Sequence, residues 1–82
     1  MNVTLVGIGR TTQARLVDVS RGGLKIESTD NFRPGQRLTV LAVGLILEGE
    51  IRWAKDGRIG MELSVPLHAE QQAALARMTR AA

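Results

Sequence analysis

The first 64 residues of the chain consist of short stretches, each ended by a turn. Within each stretch, apolar residues either alternate with polar ones or follow one another directly. In residues 24–27 and 59–63 the alternation is clean, as expected of a strand with one buried face. The dipeptide Asp56-Gly57 lies between two such stretches and is typical of a two-residue hairpin turn. The pattern predicts six short antiparallel strands, within residues 3–6, 14–20, 24–27, 37–43, 45–53 and 59–63.

The composition changes after Pro66. Residues 68–80 contain no glycine and are rich in good helix formers, so they predict a helix, with His68 at its start and Gln71 in a loose capping arrangement. A moderately apolar stripe runs along it, formed by Leu67, Gln71, Ala74, Leu75 and Met78. The predicted fold is all-β: one domain over residues 1–82, a six-stranded antiparallel barrel with strands within 3–64 and one C-terminal α-helix at about 68–80.

Composition excludes several classes of site and partner. The chain has no cysteine and a single histidine, so disulfides, thiolate metal sites and multi-histidine metal cages are excluded, and no metal or cofactor is expected. Its longest apolar run, residues 40–47, is too short to span a membrane, and no charged leader opens the sequence. The cytoplasm is therefore the default expectation, without a membrane partner.

The charge balance favours an anionic partner only weakly. The net charge is +3 and nine of the eleven basic residues are Arg, whose planar guanidinium suits phosphate and guanine edges, but the same charge is ordinary for solubility. Only 2% of the residues are aromatic, so the stacking platform of barrels that bind single strands is missing and no DNA or RNA partner is expected. Trp53 alternates in step with Leu47, Gly49 and Ile51, which predicts a role in core or rim packing.

The residues give little support for catalysis. Asp18 and Ser20 lie two apart on a predicted strand, so both point to one face and neither orients an imidazole. His68 is expected at the start of the helix rather than as a general base. Glu48 and Glu50 form a solvated strand face more readily than a glycosidase pair. The sequence therefore predicts a protein that is not an enzyme.

The most informative segment is residues 18–23, where a strand ends in two small polar residues and a glycine pair. Backbone N–H groups around such a turn can converge on an anion, and Ser20 adds a hydroxyl. Asp18 can accept from a guanine edge, and Arg21 can meet a phosphate or stack on a base. The alternative is a plain hairpin in which Asp18 and Ser20 close an Asx-type turn and the glycines supply positive φ, and the bare spacing favours that alternative.

At these positions the sequence resembles the PilZ domain family, bacterial receptors for cyclic di-GMP. Asp18, Ser20 and Gly23 match the family's Asp/Asn-x-Ser-x-x-Gly motif. The resemblance extends over residues 14–80, through segments 23–27, 33–38, 47–53 and 59–63. It implies a six-stranded barrel with a helix, a second-messenger signalling role and a cyclic di-GMP site. The candidate ligand-binding residues are Asp18, Ser20, Arg21, Gly22 and Gly23. Arg10 or Arg15 would partly replace two arginines of the family pattern if the hairpin places them beside this turn.

One departure from the family pattern concerns those arginines. Ligand-binding members carry Arg-x-x-x-Arg on a loop before the first strand, whereas here a strand is predicted from Val3, and Arg10 and Arg15 follow it with four residues between them. Losing two charge-assisted contacts of roughly 1.5–3 kcal/mol each would weaken binding by about 10²–10⁴-fold. Two hypotheses therefore stay open: a receptor that binds cyclic di-GMP, if weakly, and a degenerate adaptor that binds no nucleotide and acts through a protein partner.

Overall fold

A computed structural model of the chain describes residues 1–7 and 9–80, which form six strands and one helix. The elements are β1 (Asn2–Gly7), β2 (Arg10–Val19), β3 (Gly23–Glu27), β4 (Arg37–Ala42), β5 (Leu45–Lys55), β6 (Arg58–Leu63) and α1 (Ala69–Arg80). β2 begins four residues earlier than predicted and β5 ends two residues later. Both extensions continue a ladder into a tight hairpin connection.

The six strands close into an antiparallel barrel in the order β1-β2-β3-β6-β5-β4. Pairing of β1 with β4 completes the circle, so every described strand has two neighbours. Closure removes the free edges that an open sheet would present. The predicted fold class, a six-stranded antiparallel barrel with one C-terminal helix, is confirmed.

Apolar side chains fill the interior of the barrel. Fifteen residues form the buried cluster: Val3, Leu5, Leu16, Leu24, Ile26, Leu38, Val40, Ala42, Leu47, Ile51, Ile59, Met61, Leu63, Leu67 and Leu75. Thirteen come from strands in alternating positions, which is what period-2 patterning predicts. Leu67 and Leu75 are the contributions from the C-terminal segment, and through them the helix covers the barrel beside β2.

The start of α1 is capped as the sequence indicates. The backbone N–H of His68 donates to Oε1 of Gln71 at 3.0 Å, which satisfies one of the donors that a helix N-terminus leaves free. Glu70 in the first turn and Arg77 and Arg80 in the last turn complement the helix dipole. Among the described residues, no helix has the length and apolar character needed to cross a bilayer.

The register of the barrel shifts at two positions. Between Leu16 and Asp18 in β2, and between Ile51 and Trp53 in β5, one strand contains an extra residue relative to its partner. Such a bulge reverses which face the following side chains occupy. Ile51 is therefore fully buried, whereas Trp53 is 41% exposed on the outer wall. The prediction that Trp53 shares the inward face with Leu47, Gly49 and Ile51 is wrong because alternation alone does not reveal an inserted residue.

Two isoleucine truncations test the assignment of inside and outside. Ile26 is fully buried, and Ile46 is 70% exposed on the outer wall of β5. Ile26→Ala should lower the free energy of unfolding by about 2–5 kcal/mol, because it removes buried methyl groups and leaves a cavity. Ile46→Ala should cost about 1 kcal/mol or less. Urea unfolding measures both, and equal losses would contradict the described packing.

Candidate ligand-binding site on the outer wall

The loop between β2 and β3 is fixed by its carbonyl groups. The carbonyl of Arg21 accepts from Leu67 N–H at 2.8 Å, and the carbonyl of Gly22 accepts from Leu63 N–H at 2.8 Å. Within residues 1–7 and 9–80, the N–H groups of Arg21 and Gly22 donate to no protein acceptor. A turn whose carbonyls are engaged and whose amides face solvent is suited to hold an anion.

The two glycines of this loop have different roles from those of a plain Asx-type hairpin. Neither Gly22 nor Gly23 has a positive φ. A Cβ on Gly23 would lie 2.8 Å from the carbonyl oxygen of Met61, so residue 23 is glycine because the neighbouring strand approaches closely. Asp18 Oδ1 accepts from the N–H of Val19 at 2.9 Å, the next residue rather than the second one along. The carboxylate therefore remains on the outer wall, exposed.

One row of side chains crosses four strands beside this loop. Asp18 on β2 pairs with Lys25 on β3, Lys25 pairs with Gly60 on β6, and Gly60 pairs with Trp53 on β5. A Cβ at position 60 would overlap the indole, so the Trp53 ring lies against the backbone of Gly60. The register thus brings an aromatic surface to the same stretch of wall as the Asp18 carboxylate.

A shallow cavity of about 340 Å³, here called the motif cavity, lies between the loop and the indole. Among the residues that line it are Asp18, Ser20, Gly22, Gly23, Lys25, Arg52, Trp53 and Glu62. Its wall combines a planar apolar ring, a carboxylate, a hydroxyl and the edge of the solvent-facing loop. These groups suit a flat heterocycle that carries both hydrogen-bond donors and an attached anion.

An ion cluster forms the rim of the motif cavity. Glu50 and Glu62 are cross-strand partners, and Arg52 bridges them with N···O distances of 3.1 Å and 2.6 Å. The hydrogen bond to Glu62 and the charges of both carboxylates raise the pKa of Arg52 above its ordinary value. Arg52 is therefore occupied in neutralising a like-charge pair, which would be destabilising without it.

The arginines predicted to bind the ligand do not line the motif cavity, unlike the motif residues Asp18, Ser20 and Gly23. Arg21 lies on the loop but does not line the motif cavity. Arg10 is at the opposite end of β2, roughly 25 Å from Asp18 by strand rise, and pairs with Asp30 at 3.8 Å. Arg15 faces outward on the Asp18 side of β2 and lines a neighbouring groove. The structure brings Asp18, Ser20, Gly22 and Gly23 together and separates Arg10 from them.

Trp53 and Lys25 are the site residues that sequence reasoning missed. The available signal was Gly60, since a glycine inside an alternating strand indicates a close approach by another group. The spacing Arg-x-x-x-Arg also occurs in this chain, at Arg33 and Arg37. Arg37 donates to Ser64 Oγ at 2.9 Å, and neither arginine lines the motif cavity or the neighbouring groove.

The fold and the site together define a small closed barrel with a polar concavity on its outer wall, beside a β2–β3 loop that carries Asp-x-Ser-x-x-Gly. The family model of the PilZ domain matches residues 1–81. The chain therefore belongs to the PilZ family, which comprises receptors for cyclic di-GMP. No curated protein matches the sequence significantly.

Gly60→Ala tests the contact between the indole and β6. The added methyl group overlaps the ring, so Trp53 must move off the wall, at a cost of about 1–3 kcal/mol in stability. Trp53 is the sole tryptophan, so its fluorescence reports the displacement directly, and a red-shifted emission is expected. Gly22→Ala is the control, because a Cβ there meets nothing within 4 Å and φ is not positive. Unchanged emission in Gly60→Ala would contradict the contact.

Proposed function

We propose that this domain is a second-messenger receptor module that binds cyclic di-GMP at the motif cavity. The observation that carries the proposal is the shared row in which Asp18 and Trp53 face the same stretch of outer wall, beside the loop with two free N–H groups. Membership of the PilZ family supports the choice of ligand. It also supports a bacterial cytoplasmic setting for the domain and a role in signalling rather than catalysis.

In the proposed complex each group of the cavity has one task. The indole of Trp53 offers a face for a guanine to stack on, with a stacking contribution of about 1–3 kcal/mol. The Asp18 carboxylate accepts from the N–H groups of the guanine edge, which is a charge-assisted pair. The N–H group of Gly22 is offered to the phosphate side, and the hydroxyl of Ser20, which donates to the carbonyl of Gly23 at 3.4 Å, turns to the same phosphate when the ligand binds. None of these tasks requires a proton transfer or a bond change.

The size and exposure of the cavity favour modest affinity. At about 340 Å³ it lies at the lower end of the usual range for small-molecule sites, and Asp18 and Ser20 are both exposed. Exposed contacts gain less than buried ones because solvent screens them. Reversible, weak binding is the outcome that this geometry supports.

A second candidate, an adaptor that acts through a protein partner, is favoured by a separate observation. Leu41, Val43 and Ile46 at the β4–β5 hairpin are exposed, and Val43 has a φ of 47°, which is unusual for a β-branched residue. Exposed apolar side chains that lie together often mark an interaction surface. This patch belongs to the β4–β5 side of the barrel and does not line the motif cavity.

Titration with cyclic di-GMP decides between the two candidates. The receptor proposal predicts that the amide signals of residues 18–25 and the indole N–H of Trp53 shift in a proton–nitrogen correlation spectrum, with heat in calorimetry. Asp18→Ala should weaken binding by about tenfold or more, because one charged hydrogen-bond partner is lost. Glu48→Ala, a matched carboxylate deletion on the outer wall, should leave the dissociation constant within about twofold.

The absence of any binding signal would contradict the receptor proposal and favour the adaptor candidate. If ligand at millimolar concentration produces neither shifts nor heat, the receptor proposal is wrong. The adaptor candidate then predicts that a partner is captured by the wild-type domain without nucleotide. It further predicts that Ile46→Glu abolishes this capture, because a charge replaces an apolar side chain that is 70% exposed.

A further inference from the structure

A groove larger than the motif cavity lies beside it. This groove has a volume of about 1180 Å³ and lies along the outer wall towards the Asp56-Gly57 turn. Lys25 and Trp53 line both cavities, so the two are neighbours at these side chains. A ligand seated on the indole therefore has open space on two sides.

The groove is lined by four cations from four adjacent strands: Arg15 on β2, Lys25 on β3, Arg58 on β6 and Lys55 on β5. Arg58 is neutralised by Glu27, which accepts from its Nε at 3.3 Å and from Nη2 at 3.1 Å. In the part of the chain that the structure describes, Arg15, Lys25 and Lys55 form no ion pair. We refer to Arg15, Lys25 and Lys55 as the basic groove cations.

Carboxylates near the groove offset these cations only in part. Asp18 lies directly across from Lys25, and Glu27 directly across from Arg15, but neither couple forms an ion pair among the described residues. Besides Glu27, its acidic lining residues are Asp30 and Asp56. Asp30 already accepts from Thr12 and pairs with Arg10 at 3.8 Å, which directs its charge away from the groove. Asp56 lies on the hairpin turn and makes no ion pair among the described residues. Four cations and three carboxylates line the groove, so its lining keeps an excess of one positive charge.

Two cross-strand pairs of like charge on this wall differ in whether an oppositely charged side chain bridges them. Glu50 and Glu62 face each other and are bridged by Arg52. Lys55 and Arg58 also face each other across β5 and β6, with no carboxylate between them on the Lys55 side. Like charges directly opposite are destabilising, and Glu27 offsets this repulsion only from the Arg58 side, so an anion placed beside Lys55 would relieve what remains.

We propose that Arg15, Lys25 and Lys55 form a phosphate-binding groove, which receives phosphate groups of a ligand whose base stacks on Trp53. The inference rests on the proposed function, and it assigns to the barrel wall the charge that binds the phosphates. Lys25 is the link between the two halves, because it lies between Asp18 and Trp53 and is half-buried there. Lys25 lines both the motif cavity and the groove, so its side chain is available to a ligand that occupies both.

Inorganic pyrophosphate tests the groove without any nucleotide. Titrated into the wild-type domain, it should shift the amide signals of Arg15, Lys25 and Lys55, and the shifts should disappear in the double variant Lys25→Gln/Lys55→Gln. Arg33→Gln is the charge-matched control, because Arg33 is exposed and lines neither cavity. It should leave the pyrophosphate shifts unchanged. Shifts that are absent, or that persist in the double variant, would overturn the groove.

Titration with cyclic di-GMP distinguishes a failure of the groove proposal from a failure of the receptor proposal. Lys25→Gln and Lys55→Gln should each raise the dissociation constant by about three- to tenfold, and both should flatten its dependence on salt. If both lysine variants bind cyclic di-GMP normally and Asp18→Ala does not bind it, the groove proposal is wrong and the receptor proposal stands. Pyrophosphate shifts without any cyclic di-GMP binding would overturn the receptor function and leave the groove intact.

Discussion

The extra residue at Arg52 in β5 determines which face of the barrel Trp53 occupies. Up to Ile51 the strand alternates into a core that aliphatic side chains already fill. An indole directed inward after Ile51 would overpack that core. The bulge instead turns Trp53 to the outer wall, where Gly60 leaves room for the ring. The aromatic surface of the site therefore depends on one inserted residue and one missing side chain.

The apolar core and the candidate site occupy opposite faces of the same strands. The inward positions of β2, β3, β5 and β6 hold the apolar cluster, and their outward positions hold the motif and the basic groove cations. The second bulge, at Val17, places Arg15 and Asp18 on the same face despite their odd spacing. Both bulges lie in strands of this wall, and bulges are common beside functional sites because they redirect side chains.

The sequence was sufficient for the architecture because its signals are local. Alternation at Leu24 and Ile26, the turn at Asp56-Gly57 and the helix formers after Pro66 each act over a few residues and agree with one another. The motif residues Asp18, Ser20 and Gly23 were also found from their spacing. These features predict which elements form and where the loop of interest lies.

Local signals in the sequence did not reveal all the residues that make up the candidate site. A bulge adds a residue without changing the residue types, so the exposed position of Trp53 follows only from the pairing of β5 with β6. Lys25 and Lys55 are thirty positions apart and meet because β3, β6 and β5 are neighbours. Arg10 was expected to replace a missing arginine only if the hairpin placed it beside the motif, and β2, which runs from Arg10 to Val19, keeps the two apart.

The most direct test of the account is the contact between Trp53 and the ligand base. An isotope-filtered nuclear Overhauser experiment on labelled domain with unlabelled cyclic di-GMP measures it. The account predicts cross-peaks between the guanine H8 proton and the ring protons of Trp53. Cross-peaks to other side chains, with none to the indole, would contradict the placement of the ligand on this wall.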